Sequence, residues 1–344
     1  MIQKTNSFFN ERLGEIQVYT LSNKMGVKAE ITNYGGRILS LYTPDKNGVF
    51  NDIIMGYATI EDYLKKGNDA YYGAIIGRYA NRIGNGTFDI DGKTYKVTAN
   101  ENGHCLHGGL VGFDKVVWNA KVEDDKLVLT YLSKDGEEGF PGNLNVTVTY
   151  SLNDDSELFI NYHATTDKDT VCNLTNHAYF NIGNEDDCLE HVIDINSSKI
   201  TTCNDQLIPY DQYQNIDQTP YSFKGGVKLK TNIHSKEYLI ALCKGFDFNY
   251  CIDRKGDGLE YCASIYDQKS GRFLECFTTE KGVQLYTCNT VKGEKGKKIY
   301  NEYSAICLET QGYPNSPNCP SYPSTVLRVG EEYNSTTVYK FSVK

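Results

Sequence analysis

The sequence predicts an all-β fold, a large antiparallel β-sandwich with few short helices, and three observations carry that prediction. Short runs that alternate or concentrate apolar side chains recur along the whole chain, separated at close spacing by Gly, Pro, Asn and Asp clusters. Helical periodicity is almost absent. Nowhere does a strand pattern alternate with a long helix, as a Rossmann or βαβ design requires. No repeat, low-complexity tract or linker divides the 344 residues, and all-β domains can reach this length, so one domain over 1–344 is expected.

Taken in order, 27–31 and 38–42 read as two strands joined through Asn33-Tyr34-Gly35-Gly36, where the glycines supply positive φ. Pro44-Asp45-Lys46-Asn47-Gly48 is a turn. A short helix is expected over 59–66, with Thr59 as its N-cap and Glu61 and Asp62 in its first turn. Asp91-Gly92 between 88–90 and 93–97 is a strong hairpin signal. Further hairpins follow, 120–122 with 127–130 through Asp124-Asp125 and 144–152 with 158–164 through Asn153-Asp154. Residues 205–223, polar and proline-bearing, read as a loop region. Strands resume over 262–266, 273–277, 283–286, 305–308 and 338–343.

Composition excludes several functions. The formal charge is −9, and the longest basic cluster is Lys295-Gly296-Lys297-Lys298, so the phosphate-neutralising surface of a nucleic-acid or anionic-membrane binder is missing. Eleven cysteines, none in a Cys-x-x-Cys pair, fit reduced thiols of the cytoplasm in a chain too long to need staples. The N-terminus lacks the apolar run of a signal peptide, and no window reaches the length of a membrane span.

The most informative stretch is Asn173-Leu174-Thr175-Asn176-His177-Ala178-Tyr179-Phe180-Asn181. Read as one strand, it sends Asn173, Thr175, His177, Tyr179 and Asn181 to a single hydrogen-bonding face suited to a sugar. Its bland reading is a solvated edge strand with a satisfied histidine. Other motifs fail: Gly293-Glu294-Lys295-Gly296-Lys297 has the wrong spacing for a phosphate loop, and no Gly-x-Ser-x-Gly elbow is present. His104-Cys105-Leu106-His107 has no second ligand cluster at zinc spacing, so no metal is expected.

A scattered set remains: Asn81, Arg82, His107, His177, Asp247, Gln284 and Glu309, each in apolar or glycine-rich company. A charge on an apolar segment must be paired or face a cleft. Singly, each has a plain structural reading: Arg82 paired with Asp247, His107 a turn residue, Gln284 a ladder filler, Glu309 a strand end. Together they lie in Gly77-Arg78-Tyr79-Ala80-Asn81-Arg82-Ile83, Leu106-His107-Gly108-Gly109, Thr175-Asn176-His177-Ala178-Tyr179-Phe180-Asn181, Gly245-Phe246-Asp247, Gly282-Val283-Gln284-Leu285-Tyr286 and Cys307-Leu308-Glu309-Thr310-Gln311. In those motifs and their order the chain resembles the aldose 1-epimerases, the galactose mutarotases, from about Asn33 to the C-terminus.

The resemblance implies a β-sandwich of the galactose mutarotase-like type that interconverts the anomers of free aldoses, galactose and glucose, without a cofactor. It implies Glu309 as the base that takes the C1 hydroxyl proton and His177 as the acid that protonates the ring oxygen. It assigns Arg82 and His107 to hydroxyl and ring-oxygen contacts, Asp247 to sugar hydroxyls, and Asn81, Tyr179 and Gln284 to further substrate contacts. Glu309 in a confined pocket is expected to have a raised pKa, and His177 beside a carboxylate to stay protonated. Two departures, Tyr313 where the family more often has tryptophan and a proline-poor Ser321-Tyr322-Pro323-Ser324, bear on sugar preference. Rival readings are a hexose-6-phosphate 1-epimerase, which needs a cationic cluster at the pocket, and a non-catalytic sugar-binding or regulatory module. Nothing in the sequence decides between monomer and homodimer.

Overall fold

The computed structural model describes residues 1–65 and 71–344. Antiparallel strands dominate it. Ile2–Asn10, Gly14–Ser22, Lys28–Thr32, Ile38–Pro44 and Phe50–Asp52 form a five-stranded meander in chain order. A nine-stranded sheet runs in the spatial order Asn119–Glu123, Lys126–Ser133, Leu144–Leu152, Glu157–Thr166, Tyr333–Val343, Arg272–Thr278, Glu260–Tyr266, Val192–Ile195, Val227–Lys228. A six-stranded sheet follows Tyr179–Phe180, Ile306–Gln311, Gly282–Tyr286, Asp247–Ile252, Ser197–Cys203, Pro209–Asn215. The fold class is all-β, as the strand pattern predicts.

The strand-turn chemistry behaves as expected. Asp91 and Gly92 both take positive φ (51° and 78°) between the paired strands Thr87–Ile90 and Lys93–Lys96, which is the primed turn that suits the twist of a hairpin. Asp124 and Asp125 do the same (48° and 54°). The helix at 59–66 is Ile60–Lys65, with Thr59 Oγ1 accepting from the Asp62 N–H at 3.2 Å; Lys66 lies outside the described residues.

Two expectations give way. The region 205–223 is not all loop: Pro209–Asn215 pairs antiparallel with Ser197–Cys203. As an exposed sheet edge it has no apolar face to reveal it. The stretch 173–181 is not one strand either. Thr175–Asn176 pairs with Ile75–Ile76, whereas Tyr179–Phe180 pairs with Ile306–Gln311, so the chain changes partners at His177.

The core lies between the two large sheets. On Ile306–Gln311 the alternate residues Ile306, Leu308 and Thr310 face the nine-stranded sheet, where Tyr339 donates its hydroxyl to Leu308 O at 2.9 Å and Thr310 meets Thr337 at 2.5 Å. Leu285, Val283, Phe248 and Tyr250 continue that apolar layer. The period of two then turns Cys307, Glu309, Gln284, Asp247 and Asn249 to the opposite face.

Candidate active site

That opposite face is the floor of a cleft of about 470 Å³. Its geometry follows from strand register: Asn249 lies opposite Gln284, and Gln284 opposite Glu309, while Asp247, Tyr286, Cys307 and Tyr179 form the next row across four strands. Side chains on one face of directly paired positions stand within reach of one another. Gln284 Nε2 accordingly donates to Asp247 Oδ1 at 2.6 Å.

His177 reaches this floor from the point where the chain changes partners. Its N–H donates to Ala74 O at 2.8 Å and its carbonyl accepts from the Gly73 N–H at 2.9 Å, fixing the backbone on both sides. The imidazole stacks on Tyr179, centroids 4.8 Å apart and planes within 9°, and puts Nε2 3.5 Å from Glu309 Oε2. His177 is 5% exposed and Glu309 2%. Glu309 Oε2 has no hydrogen-bond partner.

A third segment closes the side. Arg82–Ile83 pairs with Cys105–Leu106, and the next residues interlock: the His107 N–H donates to Asn81 O at 3.0 Å, and the Asn81 N–H donates to His107 Nδ1 at 3.2 Å. Both residues take positive φ, 61° at Asn81 and 52° at His107. Gly108 makes the fit possible, since a Cβ there would stand 2.0 Å from Gly77 O. With Nδ1 accepting, His107 Nε2 carries the ring proton of the neutral tautomer and is a donor toward the cleft. Its ring lies 5.3 Å from that of His177.

Arg82 does not pair with Asp247, as a purely structural reading of the sequence had it. It forms a two-pronged ion pair with Glu101, Nε to Oε2 at 2.6 Å and Nη2 to Oε1 at 3.1 Å. Glu101 lines the cleft and escaped the sequence reading, because Asn100-Glu101-Asn102-Gly103 looks like a solvated turn. Tyr71 was likewise missed; it packs 4.6 Å from His107 and 6.0 Å from His177.

Burial dominates the electrostatics. It pushes Glu309 well above the ordinary carboxylate range, with Asp247 adding to the rise and Arg82 opposing it. Burial raises Asp247 too, against the pull of Arg82 and the Gln284 hydrogen bond. His177 is pushed down to about 3 by burial. Burial thus works against the protonated His177 that the sequence predicts, because a carboxylate pushed toward its neutral form offers its neighbour little compensating charge. It favours the neutral form of both members of the pair.

Of the expected site residues, Asn81, Arg82, His107, His177, Tyr179, Asp247 and Glu309 all line the cleft. Gln284 does not; it is 3% exposed and lies beneath, steadying Asp247. The other polar residues of 173–181 serve the fold. Asn173 bridges Ala80 O and Gly312 O, Asn176 bonds Gly73 O, and Asn181 bonds Ser304 O. Tyr313 lies outside the cleft as well, packed edge-on to Tyr322 and near Gly282. His104 accepts from the Asn85 N–H and faces Gln206, away from His107's partners.

Comparison with known proteins follows the same lines. A profile of the family described as "Aldose 1-epimerase" matches residues 17–340. The galactose mutarotase of Sus scrofa is 38% identical over the whole of both chains, and the aldose 1-epimerase of Escherichia coli K12 is 35% identical over 94% of this chain and 95% of its own. Among solved structures, the GalM/aldose epimerase homologue from C. elegans superposes with a TM-score of 0.86 at 31% identity, covering 94% of this chain and 98% of its own. The galactose 1-epimerase from Lactobacillus acidophilus NCFM gives the same TM-score at 22% identity, covering 100% and 98%, a likeness of fold.

Proposed function

We propose, from the premise that this chain belongs to the aldose 1-epimerase family, that Glu309 and His177 are the base and acid that interconvert the anomers of galactose and glucose. The chain is an aldose 1-epimerase, an isomerase. What supports the two assignments above all is one observation: a carboxylate oxygen and an imidazole nitrogen 3.5 Å apart at the buried end of a sugar-sized cleft.

In the reacting tautomer the pair's one proton lies on His177, and Glu309, as carboxylate, takes the proton of the C1 hydroxyl. The C1–ring-oxygen bond breaks, its electron pair goes to the ring oxygen, and His177 delivers a proton there. An aldehyde and a C5 hydroxyl result. After rotation about C1–C2 the C5 hydroxyl attacks the other face of the carbonyl, His177 recovers its proton, and Glu309 returns its own to the C1 oxygen. One proton shared by the pair suffices for the whole cycle. No cofactor enters the balance. Each positioned acid or base contributes on the order of 10²–10⁴-fold. Arg82 and the Nε2–H of His107 supply fixed donors that place the ring, and Asn81, Tyr179 and Asp247 complete the polar lining, with Gln284 orienting Asp247 from below.

A hexose 6-phosphate fits this lining poorly. Two of Arg82's donors are taken by Glu101, and Lys244 shares the lining with the acidic Glu101, Asp247 and Glu309. A purely sugar-binding module would need neither the acid nor the base. We read the chain as one domain on the strength of the apolar cluster that continues across its sheets, and as cytoplasmic because all eleven cysteines are free thiols. No helix among the described residues is long and apolar enough to cross a membrane. Partners are expected to be free aldoses, with the chain as monomer or homodimer.

Polarimetry of freshly dissolved α-D-galactose tests the reading. Wild type should speed the approach to equilibrium and a folded Glu309→Gln variant should not. Full activity in that variant would remove the base assignment.

A further inference from the structure

Glu309, His177 and His107 come from three separate segments, yet their ligand-capable atoms all lie within 4.8 Å of one another, and all three residues are buried. One edge of that triangle is already short, 3.5 Å from His177 Nε2 to Glu309 Oε2. In a tetrahedral zinc site with bonds of about 2.0–2.1 Å, neighbouring ligand atoms stand roughly 3.4 Å apart. We propose that the three side chains form an inhibitory site for Zn²⁺ or a similar divalent transition metal, which competes with the sugar for the cleft.

Nitrogen and carboxylate donors suit the zinc class, and the fourth position opens into the cleft, where water can fill it. The closer pair binds first. His107 joins through Nε2 only by moving its ring proton to Nδ1, which now accepts the Asn81 N–H at 3.2 Å. That conflict forfeits one hydrogen bond and keeps the affinity below that of a structural zinc site. Whatever proton the Glu309–His177 pair holds is released to solvent on coordination. The metal is thus an antagonist of the reaction, and nothing in the catalytic cycle calls for it. Metal binding rests on geometry alone; the inhibition rests also on the catalytic reading of the pair.

The test uses the whole chain stripped of metal by chelator, titrated with Zn²⁺ by calorimetry and with Co²⁺ by visible absorption. His177→Asn and the isosteric Glu309→Gln are run beside it. His163→Ala serves as control, since His163 lies 3.4 Å from Glu332 on the surface and would report binding unrelated to the cleft. Wild type and His163→Ala should bind one equivalent, the two cleft variants about tenfold more weakly or worse. Galactose should raise the apparent Kd, and Zn²⁺ should slow anomer interconversion until chelator restores it. Equal binding by wild type and both cleft variants, or binding indifferent to galactose, overturns the site. Binding that meets those criteria yet leaves interconversion untouched overturns the inhibition, and faults the catalytic assignment rather than the metal site.

Discussion

Arg78 and Glu309 are both 2% exposed, and the protein treats the two buried ionisable groups in opposite ways. Arg78 donates to Ser133 Oγ at 2.7 Å, Pro141 O at 2.9 Å, and Ser133 O and Lys134 O at 2.8 Å each, so its guanidinium fastens the segment after Gly77 to the loop beyond Lys126–Ser133. Glu309 Oε2 accepts nothing. A buried charge that only holds structure is surrounded by partners, because leaving it bare costs several kcal/mol. Glu309, with no partner at Oε2, is instead held toward its neutral form by burial. The contrast is what the proposed base role of Glu309 calls for.

The largest expected effect breaks the contrast at Glu309. Glu309→Gln should lower anomer interconversion by about 10²–10⁴-fold in polarimetry while raising thermal stability above neutral pH. Its burial holds the carboxyl well above its ordinary 4.5, so the favourable contribution of the neutral form is complete below 4.5 and is lost as pH rises through the raised value. The Tm advantage of the glutamine variant should therefore vanish near pH 4 and grow toward alkaline pH; an advantage independent of pH would contradict it.

Next in size is Arg78→Met. It strands three backbone carbonyls at about 1–3 kcal/mol apiece, so at about 2–4 °C per kcal/mol Tm should fall by roughly 6 °C or more. An unchanged melting curve would show that those carbonyls find other partners.

The pH profile sharpens the comparison further. One proton on the pair is the active count, so kcat/KM should fall on the acid side only as His177 gains a second proton, toward its depressed value of about 3, and on the alkaline side as Glu309 loses the shared one. Loss of that acid edge from the residual activity of His177→Asn, in stopped-flow polarimetry, checks the assignment; an unmoved edge contradicts it. The smallest effect belongs to Tyr313→Trp. With Tyr313 outside the cleft, relative kcat/KM across galactose, glucose and xylose should change by less than about threefold, and any cost should appear in Tm through overpacking near Gly282.

What could be read from the sequence follows from how local each cause is. Asp91-Gly92 and Asp124-Asp125 announce their hairpins because backbone preference alone decides them. Ile2–Asn10 and Pro209–Asn215 do not, since exposed edge strands carry no apolar alternation. His177 and Glu309 stood out as polar groups in apolar runs, and family resemblance gave them roles. Glu101 was hidden because its meaning lies in Arg82, 19 residues away, and Arg78 because its partners lie 55 to 63 residues further on. The polar face of 173–181 misled for a related reason: Asn173 and Asn181 satisfy distant backbone, and only the folded chain shows which amides are spoken for.

The rungs that set Asn249, Gln284 and Glu309 opposite one another also bear on how such a chain can diverge. Inserting or deleting one residue in any of those strands would turn these side chains inward. Leu207, Leu242 and Val291 at the mouth carry no such constraint. Substitutions at those positions leave the register of the strands beneath unchanged.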